Sequence, residues 1–91
     1  MTYEIHYSKE ASTAIAKYKK SNPAAYKKLT CLLKELMEHP RAGTGHPEPL
    51  VKGNSTTYSR RISASARVIY DIYDDIVVVL IISVEGHYND K

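Results

Sequence analysis

Residues 58–88 read YSRRISASARVIYDIYDDIVVVLIISVEGHY, and their pattern decides the fold. Three runs rich in β-branched and aromatic residues, 58–63, 66–73 and 76–84, are separated by the small-residue turn Ala64-Ser65 and the polar turn Asp74-Asp75. That spacing predicts a three-stranded meander. The last run is continuously apolar, as expected of a strand shielded on both faces, while the first carries Arg60 and Arg61 and the second opens with Arg67. Cations therefore collect at one end of the sheet.

Turn length sets which side chains meet. A two-residue turn at Asp74-Asp75 places Tyr73 opposite Ile76 and Arg67 beside Ile82. Gly86, His87 and Tyr88 follow within a few residues, so at about 3.3 Å per residue the imidazole stays near the Arg67 end. At the other turn, a two-residue connection puts Arg67 opposite Ile62, and a three- or five-residue loop puts it opposite Arg61. The reading leans to the second register. Like charges directly opposite repel, and a sheet that tolerates them is built to receive an anion.

Upstream, Tyr3, Ile5 and Tyr7 alternate with Glu4 and His6, which predicts a strand joining the meander. Ser8 is a good helix N-cap, Glu10 suits the positive end of a helix, and Ala11, Ile15 and Tyr18 recur at helical spacing as far as about Lys20. Asn22-Pro23 offers a cap and a first-turn proline for a second helix, with Leu29, Leu32, Leu33 and Leu36 on its apolar face through about Glu38. Cys31 falls within that pattern and reads as a small buried hydrophobe. The expected architecture is α+β: two helices covering one face of a predominantly antiparallel four-stranded sheet, in the order β-α-α-β-β-β.

Composition agrees with one domain over residues 1–91. The 91 residues are 43% hydrophobic and 25% charged, enough for a single core. Eight Tyr with no Trp or Phe give every large ring a hydroxyl, suited both to packing and to a polar aromatic surface. A net charge of +3 mildly favours polyanionic partners, although lysines on helices are usually just solvated. One Cys excludes an internal disulfide, and no apolar run is long enough to span a bilayer, so a cytoplasmic protein is expected.

Between His39 and Thr57 lies the longest loop, HPRAGTGHPEPLVKGNSTT, in which Pro47 and Pro49 stiffen the backbone around Glu48. Taken singly, Glu48, Arg61, Arg67, His87 and Tyr88 are ordinary surface residues. Together they are a carboxylate, two guanidiniums and an imidazole beside an aromatic ring. His6, His39, His46 and His87 lack metal-ligand spacing, no glycine loop runs from a strand into a helix to cradle a nucleotide, and no serine is marked as a nucleophile.

The set suits cleavage of RNA through its own 2′-hydroxyl: a base takes that proton, an acid protonates the departing 5′-oxygen, and guanidiniums stabilise the charge on phosphorus. No cofactor or metal is needed. Histidine titrates near neutrality, which fits His87 as acid, and glutamate is ionised there, which fits Glu48 as base. The two arginines favour the carboxylate form of Glu48 and so weaken it as a base, which burial or bound phosphate must offset.

The run Gly43-Thr44-Gly45-His46-Pro47-Glu48-Pro49-Leu50, then Ser59-Arg60-Arg61-Ile62, Arg67-Val68-Ile69-Tyr70 and finally His87-Tyr88 resembles the YoeB/Txe toxins of the RelE superfamily across essentially the whole chain. The resemblance implies a bacterial type II toxin–antitoxin toxin, an mRNA interferase that cuts mRNA in the ribosomal A site. It also implies a YefM-like antitoxin that folds over the toxin, operator DNA contacted only through that complex, and a homodimer. By position, Glu48 matches the general base, His87 the general acid, Arg67 the phosphate-stabilising arginine, Arg61 its support and Tyr88 the aromatic beside the acid. Lys52, Arg60, Arg61 and Tyr88 are the expected RNA contacts. Positioning by the ribosome would compensate for a weak base.

The chain departs from the family pattern in Val51, which stands where a lysine is usual and leaves Lys52 one place later, in Ser63-Ala64-Ser65-Ala66 before the arginine, and in the Asn89-Asp90-Lys91 tail. The rival reading is a non-catalytic module that docks on ribosome, RNA or antitoxin and acts as a co-repressor.

Overall fold

A computed structural model of the protein describes residues 2–43, 47–49 and 57–85, so Lys52, His87, Tyr88, Val51 and the tail lie outside the described residues. The elements in chain order are β1 (Glu4–Tyr7), α1 (Lys9–Ser21), α2 (Pro23–Glu38), β2 (Glu48–Pro49), β3 (Thr57–Ser63), β4 (Ala66–Tyr73) and β5 (Val78–Glu85). They form one sheet in the order β1-β5-β4-β3-β2, antiparallel except for the parallel pair β1 and β5. The expected α+β architecture is present with five strands rather than four. The extra one, β2, is two residues long inside a proline-rich loop, too short to show a period, and its Pro49 is tolerable because β2 is an edge strand.

Both helices begin where the caps predict. The Ser8 hydroxyl accepts from the Ala11 N–H at 3.0 Å and donates to the Ile82 carbonyl, fastening the start of α1 to β5. Asn22 serves two helices: its backbone N–H donates to the Tyr18 carbonyl at 2.9 Å, and its side chain accepts from Ala25 N–H at 3.2 Å. The helices pack on the same sheet face, α1 against β5 and α2 against β3. Ala11, Ala14 and Tyr18 meet Leu29, Leu32 and Leu36 over Val68, Tyr70, Ile72, Val79 and Ile81. Cys31, expected to be buried, is exposed. At 100° per residue it lies opposite the stripe of Leu29, Leu32 and Leu36.

Two registers differ from the simplest reading of the turns. Tyr73 pairs with Val78 rather than Ile76, because the β4–β5 turn spans four residues, Asp74 to Val77. Ile76 is 63% exposed, so the apolar run in the sequence starts before the strand does. The second difference is a pair of bulges. Ile62 interrupts β3 and Ile82 interrupts β5, so that Arg61 and Glu85 both pair with Arg67. The Ala64-Ser65 turn is the two-residue one, with Ser63 opposite Ala66, yet the bulge still brings Arg61 opposite Arg67.

Parity explains both bulges. Side chains alternate in a strand, so an unbroken register would turn Ile62 and Val84 to the side of Arg67, away from Val68. One extra residue in each neighbour returns Ile62 (3% exposed) and Val84 (4%) to the core.

Arg60 corrects a sequence expectation. Rather than contacting RNA, it is 0% exposed and points under the helices. Its Nη1 donates to Glu35 Oε1 at 2.9 Å, Nε to the Tyr70 hydroxyl at 3.1 Å, and Nη2 to the carbonyls of His39 and Ala42. The Tyr70 hydroxyl in turn donates to the Pro40 carbonyl at 3.1 Å. Burial raises the Tyr70 pKa, partly opposed by Arg60. Gly43, with φ of +120°, lets the chain pass this pair: a side chain there would collide with the Glu35 carboxylate.

Two stability results are expected. Arg60→Ala removes the guanidinium that Glu35, Tyr70 and two carbonyls share and should cost about 3–5 kcal/mol, read as a fall in denaturation midpoint. Val77 has φ of 55°, a left-handed conformation that a β-branched residue adopts at a cost of roughly 1–2 kcal/mol. Val77→Asn and Val77→Ala both lose the half-buried side chain, and only Asn tolerates that backbone. Asn should therefore be the more stable variant, by about 1 kcal/mol.

Candidate functional site

The helix-free face of the sheet carries the candidate chemistry. Pairing sets Glu48 beside Ser59, then Ile69, then Ser83 in one row across the strands, and Arg61, Arg67 and Glu85 in the next. Glu48, Arg61 and Arg67 line one cleft of about 160 Å³, together with Ser59, Ser63 and Ser65. Three residues expected from sequence to act together are thus brought together. The expected RNA contact Arg60 is directed to the opposite face by strand alternation, its neighbour Arg61 to this one. Lys52, His87 and Tyr88 lie outside the described residues.

Each side chain is placed by a different piece of local structure. Glu48 is exposed on β2, held to β3 by the pairing of Glu48 with Ser59 and Pro49 with Tyr58. Arg61 is exposed next to the Ile62 bulge, and Arg67 is the second residue of β4, after Ala66. Upstream of β2, Arg41 makes a bidentate pair with Asp74, at 2.7 and 3.2 Å, and the Tyr3 hydroxyl donates to the same carboxylate at 2.6 Å. The Arg41 guanidinium, then the Tyr3 hydroxyl, holds the Asp74 pKa below the usual carboxylate range. Arg41 also lies 6.0 Å from the Tyr58 ring, which stacks on Tyr70 at 6.2 Å. Arg41 is therefore fastened to the β4–β5 turn.

Two guanidiniums of like charge line the cleft side by side. Directly opposed strand residues have Cβ atoms about 4.5–5.5 Å apart, so Arg61 and Arg67 repel. Among the described residues, no ion pair or side-chain hydrogen bond engages either of them, or Glu48. An oxyanion between the guanidiniums relieves that repulsion and accepts charged hydrogen bonds. The volume is below the roughly 300–1,000 Å³ of pockets that enclose a small molecule, and suits one charged group of an extended chain. Among the described residues, no three His, Cys, Asp or Glu side chains group as a metal site. Among the described residues, no helix is long and apolar enough to cross a membrane.

The sequence reading did not single out the cleft serines or Glu85. Small residues around Ala64-Ser65 read only as a turn, and Glu85 is recognisable only once the Ile82 bulge is known. Millimolar pyrophosphate should raise the denaturation midpoint of the wild type by a few degrees, and Arg61→Ala or Arg67→Ala should abolish that rise while Lys34→Ala keeps it.

Comparison with known proteins gives the family and the fold. The family described as YoeB-like toxin of bacterial type II toxin–antitoxin system matches residues 7–88. Toxin YoeB of Synechocystis sp. is 35% identical over 71 residues, spanning 78% of this chain and 80% of that one. A YoeB dimer from Staphylococcus aureus has a TM-score of 0.83 at 28% identity, covering 97% of this chain and 100% of that one. A heterotetrameric YoeB–YefM toxin–antitoxin complex from Staphylococcus aureus gives 0.79 at 28% identity, with the same coverage. With two helices on one face of a sheet and Glu48, Arg61 and Arg67 gathered on the other, the chain belongs to the YoeB-like toxins of bacterial type II toxin–antitoxin systems.

Proposed function

We propose that this toxin is a ribosome-dependent endoribonuclease that cleaves mRNA in the A site, with the 2′-hydroxyl as nucleophile. Glu48 accepts the 2′-proton and the 2′-oxygen bonds to phosphorus. The bond from phosphorus to the 5′-oxygen breaks, and His87 supplies the proton that the departing oxygen takes. Arg67, supported by Arg61, stabilises the charge that builds on the non-bridging oxygens. The products are a 2′,3′-cyclic phosphate, which water can open to a 3′-phosphate, and a 5′-hydroxyl. Every step uses a side chain or the RNA itself.

The observation that carries this reading is the shared cleft of Glu48, Arg61 and Arg67. A carboxylate beside two guanidiniums is an arrangement for handling a proton next to a phosphate. His87, Tyr88 and Lys52 enter from the sequence, as acid, as aromatic neighbour of the acid and as a further backbone contact. The ribosome contributes by orienting the message against the cleft. A YefM-like antitoxin covering the cleft would silence the toxin, and the complex would bring it to operator DNA. A homodimer is the proposed free form.

The test is single-turnover cleavage of an mRNA on programmed ribosomes without added metal. Glu48→Gln and His87→Ala should each slow cleavage by roughly 10²–10⁴-fold with little change in denaturation midpoint. Arg67→Ala should lose about 10²–10³-fold in rate and also weaken binding. A folded, ribosome-bound wild type that leaves the message intact would move the function to docking and co-repression.

A further inference from the structure

One charged residue paired with Arg67 is unused by that mechanism. Glu85 pairs directly with Arg67 on the side away from Arg61, giving a row of Arg61, Arg67 and Glu85 across β3, β4 and β5. All three are exposed. That they share a face follows from their neighbours: Val68 and Val84 also pair, and both are buried beneath the helices, so Arg67 and Glu85 project from the opposite side. The juxtaposition depends on the bulge at Ile82, without which Val84 would stand opposite Arg67.

An exposed glutamate on a strand is ordinarily just solvated. Here its position relative to the two arginines matters. The central guanidinium has a like charge on one flank and a carboxylate on the other. Arg61 pushes Arg67 away from the Glu48 cleft, and Glu85 attracts it from the far side. In the structure Arg67 lines the cleft, and among the described residues no ion pair joins it to Glu85. Directly paired strand residues have Cβ atoms about 4.5–5.5 Å apart, which brings Glu85 within the span of an arginine side chain.

We propose that Glu85 is a positioning residue: its carboxylate is the intramolecular competitor for the Arg67 guanidinium, and an RNA phosphate must displace it to engage Arg67. The inference rests on the reading of Arg67 as the phosphate-holding cation. Glu85 thereby sets how tightly the cleft holds a phosphodiester, lowering affinity for RNA in the ground state. The competition is local, passing through one side chain, and that separates it from the general effect of removing a negative charge from the protein.

The test measures binding rather than cleavage. The probe is a short RNA whose cleavable nucleotide carries hydrogen in place of its 2′-hydroxyl, so it cannot be cut. Glu85→Gln in the full chain should bind it about two- to fivefold more tightly, the range expected for losing an exposed ion-pair competitor. Glu85→Asp, which keeps the charge, should retain wild-type affinity. Asp75→Asn, the same charge change in the turn at the other end of β5, should have no such effect. In the Arg67→Ala background the gain from Glu85→Gln should vanish, the coupling expected of neighbouring groups. In cleavage assays KM should fall by the same factor with kcat unchanged.

Unchanged affinity in Glu85→Gln would overturn the proposal, as would a gain that persists without Arg67. The activity and the positioning role fail separately. A wild type that binds the probe and never cuts RNA defeats the proposed activity, whereas the coupling between Glu85 and Arg67 is read from binding alone.

Discussion

A guanidinium under the helices holds this fold in register. Removing Arg60 from water is tolerable only because its hydrogen bonds reach a carboxylate on α2, a hydroxyl on β4 and two carbonyls of the segment that leaves α2. Those partners come from three parts of the chain, so satisfying one cation fixes how α2, β3, β4 and the segment from His39 to Gly43 sit together. Apolar packing alone would permit small slides between helix and sheet. A buried charge with directional partners does not.

The same constraint positions the chemistry. Side chains alternate along β3, so sending Arg60 inward sends Arg61 outward onto the bare face. The bulge at Ile62 then places Arg61 opposite Arg67, and the bulge at Ile82 adds Glu85 on the other flank. Both irregularities follow from the requirement that Ile62 and Val84 reach the core. Burial of two aliphatic side chains thus sets the order of charges on the other side of the sheet. A repulsive pair such as Arg61 and Arg67 persists because the core compensates for it.

Much of this was legible in the sequence because it rests on periodicity and caps. The helices follow from the leucine spacing and from Ser8 and Asn22, and the meander from its β-branched runs. Glu48, Arg61 and Arg67 were marked by chemistry and motif, and the structure places them in one cleft. What was not legible depends on parity across strands. An unbroken hairpin count puts Arg67 beside Ile82, and nothing local announces a bulge or a turn that continues through Ile76 and Val77. Arg60 and Arg61 are adjacent and chemically identical, so only the direction of the strand face distinguishes a buried anchor from a surface cation. Cys31 was misread because an apolar neighbourhood in sequence is not an apolar face of a helix.

The central claim is that this face cuts RNA through the message's own 2′-hydroxyl. The most direct measurement is the chemistry of the ends made on programmed ribosomes, read by mass spectrometry of both fragments. The account expects a 2′,3′-cyclic or 3′-phosphate on the upstream fragment and a 5′-hydroxyl on the downstream one, with the cut inside the A-site codon. A 3′-hydroxyl with a 5′-phosphate would mean that water, and not the ribose, attacks phosphorus, and would contradict the roles given to Glu48 and His87.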